Sequence, residues 1–150
     1  MSHVRTQIRD AVTILLTGLP TTGSRVFKSR IRKLSSSDLP ALTIETNDEV
    51  IVLESVTDDF NNDRSLDLVI RASVKVSADL DTTLDTCVKE VEQALFASFT
   101  SNSLSGLVKS MELKAIKVQM NNEGDQPIGE AAMLWSVNYF TRGNAPTVSI

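Results

Sequence analysis

Arg64–Ser77 reads RSLDLVIRASVKVS. Leu66, Leu68, Ile70, Ala72, Val74 and Val76 alternate with Asp67, Val69, Arg71, Ser73, Lys75 and Ser77. A period of two sustained over this length makes a β-strand with one dry face and one mostly wet face. That is the pattern of an antiparallel sheet covered on one side only. The cover must come from elements that carry their own apolar stripe.

Two flanking segments supply it. Val4, Ile8, Ala11, Val12 and Leu15 recur at helical spacing, with Ser2 as the expected N-cap and Gly18 and Pro20 as the stop. After the strand, residues 79–99 switch to a period of 3.6: Leu84, Val88, Val91 and Leu95 form a stripe widened by Cys87, Ala94 and Phe99. Asp79 or Asp81 can cap this second helix and suits its dipole. Leu107 and Val108 are expected to plug the core after a loop at Ser101–Ser105.

The remaining segments read as strands and turns. Arg25–Arg30 predicts a strand, Ser35–Asp38 a polar loop and Ala41–Thr46 a strand after Pro40. Asn47 and Asp48 suggest a hairpin turn into a strand at Val50–Val56. Thr57–Asp63 is a loop rich in Asp and Asn. In Met111–Met120 the apolar parity changes midway, which predicts a bulge near Ala115. Asn121–Gln126 is a turn region, and Ile128–Thr141 a last strand with Ala131, Met133, Trp135, Val137 and Tyr139 on one face. Gly143–Ile150 reads as a polar, flexible tail. The expected architecture is a single α+β domain over 1–150, in the order α-β-β-β-β-α-β-β. Its mainly antiparallel sheet carries both helices on one face.

Composition narrows the function. With 150 residues the chain can bury one core without staples. No apolar run approaches the roughly 20 residues of a membrane span. Arg9 and Asp10 interrupt any signal-peptide core, so synthesis in a cytoplasm is expected. The one cysteine agrees with a reducing compartment. Net charge is −4, but it is unevenly spread. Residues 1–33 hold seven Lys/Arg and one acid; residues 34–100 hold four and fourteen; residues 101–150 hold four of each. A basic start and an acidic middle can attract one another between copies, or be two solvated faces of one folded unit.

Catalytic patterns are missing from the sequence. The single histidine, His3, sits near the terminus, and Cys87 lies on the apolar stripe of a helix. No zinc ligand set, phosphate loop or dinucleotide fingerprint occurs. Asp58, Asp59, Asn61, Asn62 and Asp63 lack the calcium-loop spacing. The expectation is a non-enzyme with no cofactor and no metal. Arg25, Lys28, Arg30, Arg32 and Lys33 form a basic cluster, yet the scarcity of aromatics and the acidic middle argue against direct nucleic-acid binding. A contact between subunits, with Asp58, Asp59 and Asp63 as the opposing acids, or a plain solvated strand face is the better reading.

The phrases RVFKSRIRKLSSSDLPALTIET (25–46), EVIVLES (49–55), RSLDLVIRASVKVSA (64–78), LDTTLDTCVKEVEQAL (80–95) and LWSVNYFTR (134–142), in this order after an amphipathic helix, resemble one family. It is that of the tail terminator proteins of long-tailed phages, the group containing the minor tail protein U of phage lambda. The resemblance spans about residues 3–142. It implies a structural virion protein that forms a six-membered ring on the head-proximal end of the tail tube. Such a ring stops tube polymerisation and presents a surface to the head's connector, with DNA passing through it. The implied partners are other copies of the chain, the tail tube protein and the connector. A head–tail joining (neck) protein is the alternative in the same virion. A small ligand-binding module is the alternative outside it, and a large apolar pocket would mark that one.

Overall fold

A computed structural model describes residues 1–28, 35–56, 60–121 and 127–150. The elements run α1 (Val4–Leu16), β1 (Val26–Phe27), β2 (Ala41–Ser55), β3 (Asn61–Lys75), α2 (Leu80–Gly106), β4 (Ser110–Asn121), β5 (Ile128–Arg142) and β6 (Ala145–Ser149). The sheet order is β1-β2-β3-β5-β4, with β6 also paired to β5. All pairings are antiparallel except the short β1–β2 contact at Leu42 and Thr43. This is the α+β arrangement expected, with both helices on one face of the sheet.

The core explains why. Leu66, Leu68, Ile70, Ala72 and Val74 of β3 and Ala131, Met133, Trp135, Val137 and Tyr139 of β5 point to the helix side and are buried. They meet Val4, Ile8, Val12 and Leu16 of α1 and Leu84, Cys87, Val88, Val91 and Leu95 of α2. Leu16 takes the innermost place expected of Leu15, which packs only partly buried at the core's margin. The N-cap of α1 is His3 rather than Ser2: its Nδ1 accepts the Arg5 N–H at 3.1 Å. Burial, then the charge of Arg64, lowers the His3 pKa and keeps that nitrogen free to accept. Leu80 of α2 sits directly over Gly129 of β5, where a Cβ would fall 2.5 Å from a Leu80 methyl.

Several elements differ from expectation. Ala41–Ser55 is one 15-residue strand, and Asn47 and Asp48 form a bulge in it rather than a hairpin turn. Two strand residues stand there against one on β3, so pairing resumes at Glu49 on the same face as Thr46. Asn61–Asp63 continues β3 instead of a loop. Ser36–Asp38 is a single 3-10 turn. Of the strand expected at Arg25–Arg30, β1 covers Val26–Phe27, and residues 29–30 lie outside the described residues. The C-terminal tail forms β6: Ser149 Oγ donates to the Leu107 carbonyl at 2.8 Å, and Gln7 of α1 donates to the Thr147 carbonyl at 2.7 Å. The bulge in β4 lies between Leu113 and Ala115, as the parity change predicts. The end of α2 turns left-handed at Ser103, Leu104 and Ser105, which folds Leu104 back into the core.

Candidate assembly surface

The β2–β3 pair outruns the helices. Up to Thr46, β2 alternates buried and half-buried residues; from Val50 onward almost every residue is exposed. Val50, Ile51, Val52 and Leu53 are 49–65% exposed, and Val56 and Phe60 join them. Alternation puts Ile51 and Leu53 on the helix side and Val50 and Val52 on the other, so this arm is apolar on both faces. A contiguous apolar patch of this kind marks a contact site.

A polar cluster braces the arm at its root. The sequence reading missed it, because its members lie on four elements far apart in the chain. Glu49, just past the bulge, is nearly buried and faces inward opposite Leu66. Arg64 of β3 places Nη1 2.7 Å from its Oε1, and Tyr139 of β5 donates its hydroxyl to Oε2 at 2.9 Å. Arg5 of α1 brings Nε within 3.4 Å of the same carboxylate and donates from Nη2 to the Asn47 carbonyl at 2.7 Å. Arg64 Nε also donates to Thr141 Oγ1 at 2.8 Å. Burial, reinforced by Glu49, raises the Tyr139 pKa well above the usual phenol value, so the hydroxyl stays a donor. Helix, bulge and two strands are thus fastened at one carboxylate. Beside the cluster lies an open polar concavity lined by Arg5, Glu45, Thr46, Asn47, Asp48 and Arg71.

The sequence-predicted contact residues are scattered. Arg25 is committed inside the fold: Nε donates to the Pro40 carbonyl at 2.7 Å and Nη2 to the Thr21 carbonyl at 3.2 Å. Lys28 pairs with Asp10 at 2.7 Å on the surface. Asp63 lies within β3 and accepts from the Asn138 side-chain amide. Arg30, Arg32, Lys33, Asp58 and Asp59 lie outside the described residues. Cys87 is buried, and burial pushes its thiol up to about 11, so it is an inert core residue. Among the described residues no group of three or more His, Cys, Asp or Glu is arranged to hold a metal ion. No helix among them is long and apolar enough to cross a membrane.

The sheet has two open flanks. β2 carries a strand on its outer side only at Leu42 and Thr43, and β4 carries none among the described residues. Along β4, Ile116, Val118 and Met120 face the helix side but are 43–59% exposed. β4 also carries Lys114 and Lys117, with Lys109 just before it, against the single acid Glu112. β2 carries Glu45, Asp48, Glu49 and Glu54 and no Lys or Arg. No protein-family model matches this chain, and no curated protein matches it either.

Proposed function

We propose that this chain is a structural protein of a phage tail. It assembles as a ring, six-membered by the family resemblance, at the head-proximal end of the tail tube. There it ends tube growth and offers the head connector its docking surface. The observation that carries the reading is the braced apolar arm at Val50–Leu53. An exposed apolar strand on a rigid root is built for protein contact, not for turnover of a small molecule. The two flanks of the sheet differ from each other in charge. A contact between unlike surfaces is heterologous, and such contacts close into rings when the rotation divides a full turn. The virion is then the place of action, after synthesis in the host cytoplasm.

The test mixes the purified protein with the tail-tube protein of its own genome and images the products by negative stain. The expected result is tubes of defined length bearing a ring at one end. Tubes that grow unchecked with the protein unbound would refute it. A ring bound only to the head connector would favour the neck protein instead.

A further inference from the structure

We propose that neighbouring copies join by strand addition: the β2 arm of one copy, from Glu49 to Ser55, pairs antiparallel with β4 of the next. Ile51 then stands opposite Ile116. The closing of these contacts into a ring rests on the reading above; the pairing itself is argued from the two flanks.

An exposed apolar edge strand is a template for a further strand, and natural folds shield such edges when they are not used. Both flanks here are long. β2 and β4 also run in opposite directions within one copy, since β2 opposes β3, β3 opposes β5 and β5 opposes β4. Rotation about an axis preserves those directions, so β4 of one copy meets β2 of the next antiparallel.

Three features set the register. On the helix side, Ile51 meets Ile116, and the half-exposed Val118 continues the same apolar row toward the arm's root. On the opposite side, Lys117 comes level with Val50, on the diagonal to Asp48, and Lys114, which pairs with Glu112 at 2.9 Å within β4, lies between Glu112 and the incoming Glu54. Neither Asp48 nor Glu54 has an ion pair among the described residues. Cross-strand pairs of opposite charge reach each other directly or on the diagonal. Finally, β1 occupies the flank of β2 at Leu42 and Thr43, so an incoming strand has room only beyond the bulge.

The register also implies a ring geometry. Ile51 lies level with Arg64 on β3. Ile116 lies level with Met133, and through it with Ile70, six residues further along β3. The next copy is therefore staggered by about 20 Å along the strands, at roughly 3.3 Å per residue. Four long strands per copy span about 19 Å at roughly 4.8 Å each. The strands then tilt by roughly 45° from the ring axis, at the upper end of the 35–45° typical of closed barrels. A register chosen from side chains thus gives a sheet that can close.

The test uses single-cysteine variants in a Cys87→Ser background, with folding checked by circular dichroism. Ile51→Cys protein and Ile116→Cys protein are oxidised separately and mixed, alone and with tail tubes. The expected result is a disulfide dimer in the mixture and in neither protein alone. The double variant should give a ladder ending in a closed ring. A dimer from Ile51→Cys alone would mean like-to-like pairing of β2 and would overturn the proposal. Rings on tube ends without the mixed cross-link would overturn the edge pairing and leave the tube-end reading standing. A ladder in a protein that never caps tubes would uphold the pairing and overturn the tube-end reading. If the cysteines disturb the fold, Lys114→Glu with Lys117→Glu gives a second reading. Assembly measured by sedimentation should fall at least tenfold, and Glu54→Lys should restore part of it; unchanged assembly would overturn the proposal.

Discussion

β2 is one strand with two environments. From Ala41 to Thr46 its inward residues are sealed under α1 and take part in the core. From Val50 to Ser55 no helix among the described residues lies over it, and apolar side chains face outward on both sides. The composition hardly changes along the way; what changes is whether another layer is present. The bulge at Asn47–Asp48 separates the halves, and Glu49 fastens the second to the first. Hydrophobicity alone therefore does not say which residues stabilise the fold. The inner half acts on stability, and the outer half is available to partners.

Substitutions should separate the halves. Ile70→Ala, opposite Ile44 of the inner half, should cost about 2–5 kcal/mol by urea denaturation, as large-to-small core changes do. An unchanged midpoint would mean that the sealed face is wrongly assigned. At the junction, Glu49→Ala leaves the Arg64 guanidinium without its carboxylate and should cost about 3 kcal/mol. Hydrogen exchange should then quicken in β2 beyond the bulge more than before it. In the outer half, Leu53→Ser should change stability by less than about 0.5 kcal/mol while weakening assembly. A large loss of stability there would show that the arm belongs to the core.

Alkaline pH offers a further comparison. Cys87 has its pKa raised from 9.0 to about 11, and Tyr139 is raised as well. A raised value means that the folded state holds its proton longer than the unfolded state. The associated stability is full below about pH 9 and is lost as pH rises through 11, at up to about 1.4 kcal/mol per pH unit for Cys87. Cys87→Ala should flatten the Cys87 part of that slope, read from denaturation midpoints between pH 8 and 11. The smallest effect on stability belongs to Arg30→Glu with Arg32→Glu. The fold should persist by circular dichroism, and assembly should weaken at low salt only if the cluster acts through long-range charge, since such attraction is screened within about 8 Å at physiological ionic strength. Assembly equal to the parent's at low salt would remove the basic cluster from the interface.

The layered fold was legible because it rests on period. Alternation in β3 and β5 and the 3.6 spacing in both helices follow directly from which face is buried, and the β4 bulge appears as a change of parity. The sequence divides Ala41–Ser55 at Asn47 because Asn-Asp suits a turn as well as a bulge; only pairing with β3 decides between them. β6 reads as tail in the sequence because its few apolar residues show no period; backbone and polar groups hold it, with Gln7 donating to the Thr147 carbonyl, Ser149 Oγ to the Leu107 carbonyl and the Ile150 N–H to the Phe140 carbonyl. The Glu49 cluster left one trace in the sequence. Once β2 is one bulged strand, Glu49 and Arg64 fall on the dry parity, and charged residues there need each other. The basic and acidic runs drew attention through density, yet Arg25 and Asp63 serve the fold.

The bulge in β4 also bears on how this gene can change length. In a regular strand, losing one codon turns every following side chain to the opposite face. At Lys114 the extra residue stands outside the ladder, between Leu113 opposite Trp135 and Ala115 opposite Leu134. Deleting that codon would close the ladder and leave Ile116, Val118 and Met120 facing as before. The fold should therefore tolerate a single-codon deletion at this point of the strand better than on either side of it, whatever the loss of the Lys114 charge does to assembly.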